Sequence, residues 1–185
     1  MFTKARLRGI VGGAAILTLF GGFWCIMALA FWAARPAWAI PAAIATALVL
    51  LIFCIFRWTA TAKMAHAHDS AAAAKGKRAG ILFGIIFGIE GALCGLSSAL
   101  LGSSGHGDWI PLAIAIIVAL HFLPLAHIFE AVLYYWTGAL ALLGVLGCLF
   151  IHPAGLRFLS VGLVMAGVLW GTAFLLLVQT RSAPV

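Results

Sequence analysis

Long apolar runs, separated by short polar breaks, follow one another along the whole chain. Each run is long enough for a helix that crosses about 30 Å of hydrocarbon, which takes roughly 20 residues. Backbone groups in lipid must pair within their own segment, so the pattern predicts helices rather than strands. The predicted spans are residues 9–34, 37–56, 79–101, 109–129, 133–150 and 156–178, with one sizeable loop at 57–78.

A weak internal repeat suggests how these spans are paired. Gly9, Ile10 and Gly13 recur 71 positions later, and Trp38 recurs as Trp109 at the same offset. Repeats of this kind occur in membrane proteins that are built from similar helical units. We therefore predict an all-α fold, in which residues 1–185 form a single transmembrane domain, a six-helix bundle of three helical hairpins.

The composition excludes an ordinary soluble domain. The chain is 65% hydrophobic and only 8% charged, with a mean hydropathy of +1.21, whereas soluble domains carry about 25% charged residues. The net charge of +7 does not indicate nucleic-acid binding, because the Lys and Arg residues lie at the ends of apolar runs, where membrane topology requires them. The expected partner is the lipid bilayer.

The basic residues also predict an orientation. Nine of the eleven Lys and Arg residues fall on one side of the predicted bundle, and only Arg35 and Arg157 fall on the other. Cytoplasmic loops are the positive ones, so we expect both termini in the cytoplasm, in a bacterial inner membrane. Lys75, Lys77 and Arg78 are expected to contact anionic headgroups, at about 1 kcal/mol for each charge.

Aromatic residues near the ends of the runs predict an interfacial belt. Its members are Trp38, Trp58, Trp109, Tyr134, Tyr135 and Trp136. Trp170 lies deeper within its run and is interpreted as a packing residue.

Two neighbouring spans each carry one ionisable residue far from their ends, Glu90 and His121. The link between the spans is short, so they form an antiparallel pair. A fold-back at Gly105 sets Glu90 opposite position 120. A charge at mid-depth costs about 2.5–3.5 kcal/mol or more, so we expect the two side chains to interact, directly or through water. Two states are compatible with this contact, an ion pair and a pair that shares one proton. Two roles are compatible with it as well, a protonation switch and a purely structural role.

The surroundings of this pair supply two further candidates. Ser97 lies on the same flank of its helix as Glu90, and Pro124 follows His121 by three residues. Proline cannot donate to the carbonyl four residues earlier, which predicts a kink and a free acceptor beside His121. A stripe of small residues on the same helix lies about 120° around from Glu90. Such a stripe predicts a face at which another helix packs closely. The stripe comprises Gly80, Gly84, Gly88, Gly91, Gly95, Ser98 and Gly102.

The remaining polar residues are weaker candidates. His127 and Glu130 are three residues apart, which suits either a local pair or the interfacial end of a helix. The histidines and the acid of the 57–78 loop, His66, His68 and Asp69, are interpreted as solvated residues, so no metal is expected. His121 has no second deep imidazole opposite it, so no haem or other cofactor is expected.

The cysteines and the motif inventory indicate no catalytic chemistry. The four cysteines lie on four different spans without a CxxC pair, which favours packing over disulfides. They are Cys25, Cys54, Cys94 and Cys148. No HExxH, GxSxG, Walker or dinucleotide pattern occurs in a usable context, and we expect no enzyme.

Three motifs carry a resemblance to a known family. Ile-Glu-Gly at 89–91, Ala-Leu-His-Phe-Leu-Pro-Leu-Ala at 119–126 and Tyr-Tyr-Trp-Thr-Gly at 134–138 together resemble an uncharacterised family of small bacterial six-helix membrane proteins. The family is marked by a His-Phe-x-Pro-Leu-Ala motif. The resemblance implies the multi-pass architecture and the choice of Glu90 and His121, and it implies no activity.

Two classes of function fit these observations. The first is a small carrier or permease, with a proton or a small molecule as its substrate, in which Glu90 and His121 form a polar centre. The second is a non-catalytic accessory or scaffold subunit, in which the same pair only fixes helix packing. A homo-oligomer is compatible with both.

Overall fold

The computed structural model describes residues 4–62 and 70–180, and within them it contains six long α-helices and no strand. All six helices are long and apolar enough to cross a membrane, so the prediction of an all-α fold with six helices of membrane-spanning length is confirmed. Single 3-10 turns at Gly107–Trp109 and Cys148–Phe150 adjoin the fourth and fifth helices. The helices are α1 Lys4–Ala30, α2 Ala39–Ala62, α3 Ser70–Ser103, α4 Ile110–Ile128, α5 Val132–Gly147 and α6 Ala154–Gln179.

Helices extend from both sides into the predicted loop at 57–78. Helix α2 continues to Ala62 and α3 already begins at Ser70, because alanine-rich sequence has high helix propensity even where it carries polar neighbours. His66, His68 and Asp69 lie outside the described residues. The first helix also ends at Ala30, four residues early, and Arg35 donates to the carbonyls of Ala30 and Trp32 in the turn that follows.

The first and last helices form the centre of the bundle. Helix α1 packs more extensively against α6 than against α2, its neighbour in sequence. The next most extensive contact joins α4 to α5, and α3 packs chiefly against α4. Among the described residues, consecutive helices pack together except α2 and α3, and the bundle is organised around the α1–α6 pair.

Small residues bring α1 and α6 close together. A Cβ atom added to Gly162 on α6 would lie 2.4 Å from the Cβ of Ala28 and 2.9 Å from the Trp24 carbonyl oxygen. Gly21 on α1 is covered in the same way by the ring of Trp170, whose indole N–H donates to the Thr18 carbonyl at 3.1 Å. The interpretation of Trp170 as a packing residue is thus confirmed.

Polar contacts mark one basic end of the bundle. The Arg8 guanidinium lies 5.2 Å from the centre of the Trp58 ring, so the start of α1 meets the end of α2. Arg57 donates to the hydroxyl and the carbonyl of Thr180, which brings the end of α6 to the same place. Lys75 Nζ lies 2.7 Å from Glu130 Oε1, joining the start of α3 to the turn after α4.

The opposite end is held by a buried arginine. Arg157, at the start of α6, donates to Asp108 Oδ2 at 2.7 Å, and its guanidinium lies 3.9 Å from the centre of the Trp109 ring. The Arg157 side chain is only 4% exposed. This contact ties the turn between α3 and α4 to α6, and it positions the start of α4.

Of the six residues in the predicted aromatic belt, four are exposed, Trp109 is half-buried and one is buried. Trp38, Trp58, Tyr135 and Trp136 are exposed near helix ends, whereas Tyr134 is buried. Tyr134 turns inward because Gly13 on α1 leaves room for its hydroxyl: a Cβ atom there would lie 2.7 Å from the Tyr134 oxygen.

We expect Gly162→Ala to lower the thermal stability of the purified protein in detergent. The added methyl group would overlap Ala28 and the Trp24 backbone, and overpacking of this kind costs about 1–3 kcal/mol. Gly167→Ala on the same helix is the matched control, because a Cβ atom there meets nothing within 4 Å. Equal melting temperatures for the two variants would contradict the close α1–α6 contact.

Candidate functional site

Helix α3 lies at the side of the bundle, and it buries one side chain only. It packs mainly on α4 and makes a small contact with α1. Among its described side chains, residues 74–103, the only buried residue is Glu90. Apolar residues of α3 such as Ile85, Ile89 and Leu93 are exposed, as lipid-facing residues are. The helix thus turns its sole acid inward and its apolar residues outward.

Glu90 meets His121 of α4 deep in the bundle. The carboxyl oxygen Oε1 lies 3.3 Å from the ring nitrogen Nδ1, and the two side chains are 10% and 16% exposed. The helices fold back through a turn in which Gly105 has φ +78°, a backbone conformation that glycine adopts without strain. The predicted contact between the two side chains is therefore present, with the turn at the predicted residue.

The pair leaves one buried polar atom without a partner. Glu90 Oε2 has no hydrogen bond within the described part of the chain, whereas His121 Nδ1 lies against Glu90 Oε1 and the ring is also within reach of the Val118 backbone. The 3.3 Å approach of Nδ1 to Oε1 is close enough for an ion pair, but it lacks the directional geometry of a hydrogen bond. Buried polar atoms are nearly always satisfied in proteins. The pair therefore retains capacity to bind a proton or a ligand group.

A pocket of about 170 Å³ opens beside Glu90, between α1, α3 and α4. Trp24, Val118 and Glu90 form its buried part, whereas Phe20, Phe23 and Phe87 are exposed at its mouth. The rings of Phe20 and Phe87 lie 6.2 Å apart in an edge-to-face arrangement, which bridges α1 and α3. Gly91, Cys94 and Ile114 complete the lining. The pocket opens on the apolar flank of the bundle, and Glu90 is the one carboxyl group among these lining residues.

The other predicted site residues lie apart from this contact. The Ser97 hydroxyl donates to the Cys94 carbonyl at 3.1 Å, within its own helix. Pro124 lies inside α4, which continues through it to Ile128. His127 and Glu130 are exposed at the basic end, where Glu130 binds Lys75. Of the six candidates, the structure brings together Glu90 and His121.

The glycines of the small-residue stripe on α3 have no close neighbour among the described residues. A Cβ atom added to any of them meets nothing within 4 Å, so the predicted seam is not formed within the described part of the chain. Glycine-mediated packing occurs instead at Gly21 and Gly162, between α1 and α6, and at Gly138, whose added Cβ atom would lie 2.9 Å from the Ala119 carbonyl oxygen. A glycine stripe in sequence marks a helix face that admits close approach, but it does not identify the partner.

The cysteines are free thiols, three of them buried and one half-buried. The half-buried one, Cys94, lies one turn from Glu90 and lines the pocket. Within residues 4–62 and 70–180, no three His, Cys, Asp or Glu side chains come together as metal ligands would.

Two features of the site were missed by sequence reasoning. The pocket depends on how α3 leans on α1, and nothing in the local pattern of either helix encodes that angle. The contact of Arg157 with Asp108 and Trp109 did leave a signal, since the two opposite charges lie at neighbouring ends of predicted spans. Arg157 was interpreted only as a residue of the less basic side.

The architecture defines the class to which this chain belongs: an all-helical protein with six helices long and apolar enough to span a membrane. Comparison with protein-family models, with curated proteins and with solved structures found no match. The resemblance carried by the Glu90, His121 and Tyr134 motifs therefore remains a prediction.

We expect a hydrophobic carbodiimide, N,N′-dicyclohexylcarbodiimide, to modify Glu90 selectively. This reagent partitions into lipid and adds to protonated carboxyl groups, and Glu90 lines a pocket that opens on the apolar flank. Asp108 and Glu130 are held by cations near the bundle ends. Peptide mass spectrometry locates the adduct. Modification that survives in the Glu90→Gln variant, or that falls chiefly on Asp108 or Glu130, would contradict the described access.

Proposed function

We propose that this chain is a small membrane carrier in which Glu90 and His121 handle a proton. The observation that carries the proposal is the meeting of one buried acid and one imidazole at mid-helix, with Glu90 Oε2 lacking a hydrogen bond within the described residues. A polar pair that served packing alone would be expected to satisfy its own atoms. Intramembrane ionisable residues commonly mark substrate pathways and proton relays.

The depth of the two groups supports the same proposal. Glu90 lies 13 residues before the end of α3, and His121 lies 11 residues after the start of α4. At 1.5 Å per residue, each is about 17–20 Å from the end of the bundle that carries Asp108. Both groups thus lie at a depth where ionisable residues commonly belong to proton or substrate pathways.

We further propose that the basic end faces the cytoplasm of a bacterial cell. Arg8, Arg57 and Lys75 lie at this end and engage Trp58, Thr180 and Glu130, and positive residues favour the cytoplasmic side. Both termini would then be inside. Lys77 and Arg78 are exposed there and are positioned to bind anionic headgroups. Lys75 would bind a headgroup in place of Glu130.

A second candidate function is an accessory or scaffold subunit. The stripe of small residues on α3 favours it, because no helix of the described chain covers that face. Such faces suit close helix association in membranes, whether with a different subunit or with a second copy of the chain. In this case the Glu90–His121 contact would serve only to hold α3 against α4. The three predicted hairpins would be the units from which the bundle is assembled.

Proton flux into proteoliposomes tests the carrier proposal. We expect wild-type protein to acidify vesicles containing a trapped pH-sensitive dye faster than empty vesicles, under a potassium diffusion potential. Glu90→Gln and His121→Gln should reduce the rate to that of empty vesicles, because each removes one member of the proton-handling pair. His106→Gln is the matched control, since His106 is exposed in the turn after α3.

The outcomes separate the two candidates. Flux that depends on Glu90 and His121, with normal size-exclusion profiles for all variants, supports the carrier. A wild-type rate equal to that of empty vesicles contradicts it and favours the scaffold subunit. Unchanged flux in Glu90→Gln would contradict the role of the pair.

A further inference from the structure

The pocket beside Glu90 combines three features that together point to a ligand. Its buried part contains a carboxyl group whose side chain is nine-tenths buried. One oxygen of that group, Oε2, has no hydrogen-bond partner in the described chain. Its walls are largely aromatic and its mouth opens on the outward apolar flank. We propose that this pocket is a binding site for a lipophilic monocation that enters sideways from the bilayer.

The aromatic lining selects the sign of the ligand. Phe20, Phe23, Phe87 and Trp24 surround the approach to Glu90, and the faces of aromatic rings attract cations. An anion would be repelled by the carboxylate. A neutral apolar molecule would give the buried Glu90 carboxyl group no counter-charge. A cation with an apolar body satisfies both the rings and the carboxylate.

The size and the entry route restrict the ligand further. A pocket of about 170 Å³ holds the charged centre and one or two of its substituents, while the remainder of the ligand extends past Phe23 into lipid. Gly91 and Cys94 form the α3 side of the opening, and a Cβ atom added to Gly91 meets nothing within 4 Å. The absent side chain at Gly91 is therefore what keeps this side of the pocket open.

The inference rests on the proposed carrier function and names its substrate class. Binding exchanges one charge for another: a protonated Glu90 loses its proton, and the resulting carboxylate pairs with the cation. His121 on α4 and Cys94 on α3 are the titratable groups beside Glu90. From α1 the pocket receives Phe20, Phe23 and Trp24, which do not titrate in this range. The released proton leaves by way of His121, and net charge is conserved.

Binding of tritiated tetraphenylphosphonium to the full chain in phosphatidylcholine nanodiscs tests the proposal. We expect saturable binding, with about one proton released per cation in weakly buffered solution, because an opposite charge favours the ionised carboxyl group. Glu90→Gln should weaken binding by about thirtyfold or more, the usual result of removing one member of a buried charge pair. Tetraphenylborate, an anion of the same shape, should not compete.

A second pair of variants tests the pocket without altering the charge. Gly91→Leu should block the opening and reduce affinity by about tenfold or more, since a ligand cannot displace a side chain that is packed in its site. Gly88→Leu is the matched control. It lies one turn away on the same helix, outside the lining, and its Cβ atom also meets nothing within 4 Å. It should bind like the wild type.

The outcomes distinguish this inference from the carrier proposal. Equal binding by wild type and Glu90→Gln, competition by tetraphenylborate, or equal effects of the two leucine variants would overturn the cation site and indicate an acyl-chain groove. Failure of cation binding with intact Glu90-dependent proton flux would overturn this inference and leave the carrier standing. Glu90-dependent binding without any flux would support the site and refute transport.

Discussion

Hydrocarbon cannot solvate a carboxyl group, and this constraint determines the placement of α3. The helix exposes most of its apolar side chains, and among residues 74–103 it buries only its single acid. A charge left in lipid would cost at least about 2.5–3.5 kcal/mol, which is comparable to burying a whole leucine. The contact between Glu90 and His121 therefore sets which face of α3 turns toward α4, while the apolar residues leave the rotation of the helix almost free.

The same constraint connects the fold to the site. Because α3 is held chiefly through α4, it leans only lightly on α1, and the space between α1 and α3 becomes the aromatic pocket. The rigid part of the bundle lies elsewhere, in the close α1–α6 contact around Gly162 and Gly21. Helix α3 thus lies on a fixed core, with its acid at the junction. A helix with few buried contacts is also the one whose position a ligand or a proton can shift most easily.

The features of the structure that follow from hydrophobic periodicity and from the exclusion of charge from lipid were predictable from the sequence. Span number, the turn at Gly105 and the meeting of Glu90 with His121 all follow from run lengths and from the cost of an isolated charge. The partner of each packing face could not be predicted in the same way. Gly84 and Gly88 match a packing motif as well as Gly162 does, yet only Gly162 is covered by another helix. Non-local helix angles decide that difference, and they also create the pocket. Similarly, Tyr134 stands beside two exposed aromatic residues, and only the space at Gly13 turns it inward.

The direct test of the central claim is the distance between the two side chains in a lipid bilayer. Solid-state NMR on protein labelled with 13C in glutamate and 15N in histidine reports this distance. The sequence contains two glutamates, Glu90 and Glu130, so the Glu90→Gln variant identifies the signal of Glu90. The structure places Oε1 of Glu90 3.3 Å from Nδ1 of His121. We expect a carboxyl-to-imidazole correlation that disappears in Glu90→Gln. Absence of that correlation, or its persistence in the variant, would contradict the Glu90–His121 contact.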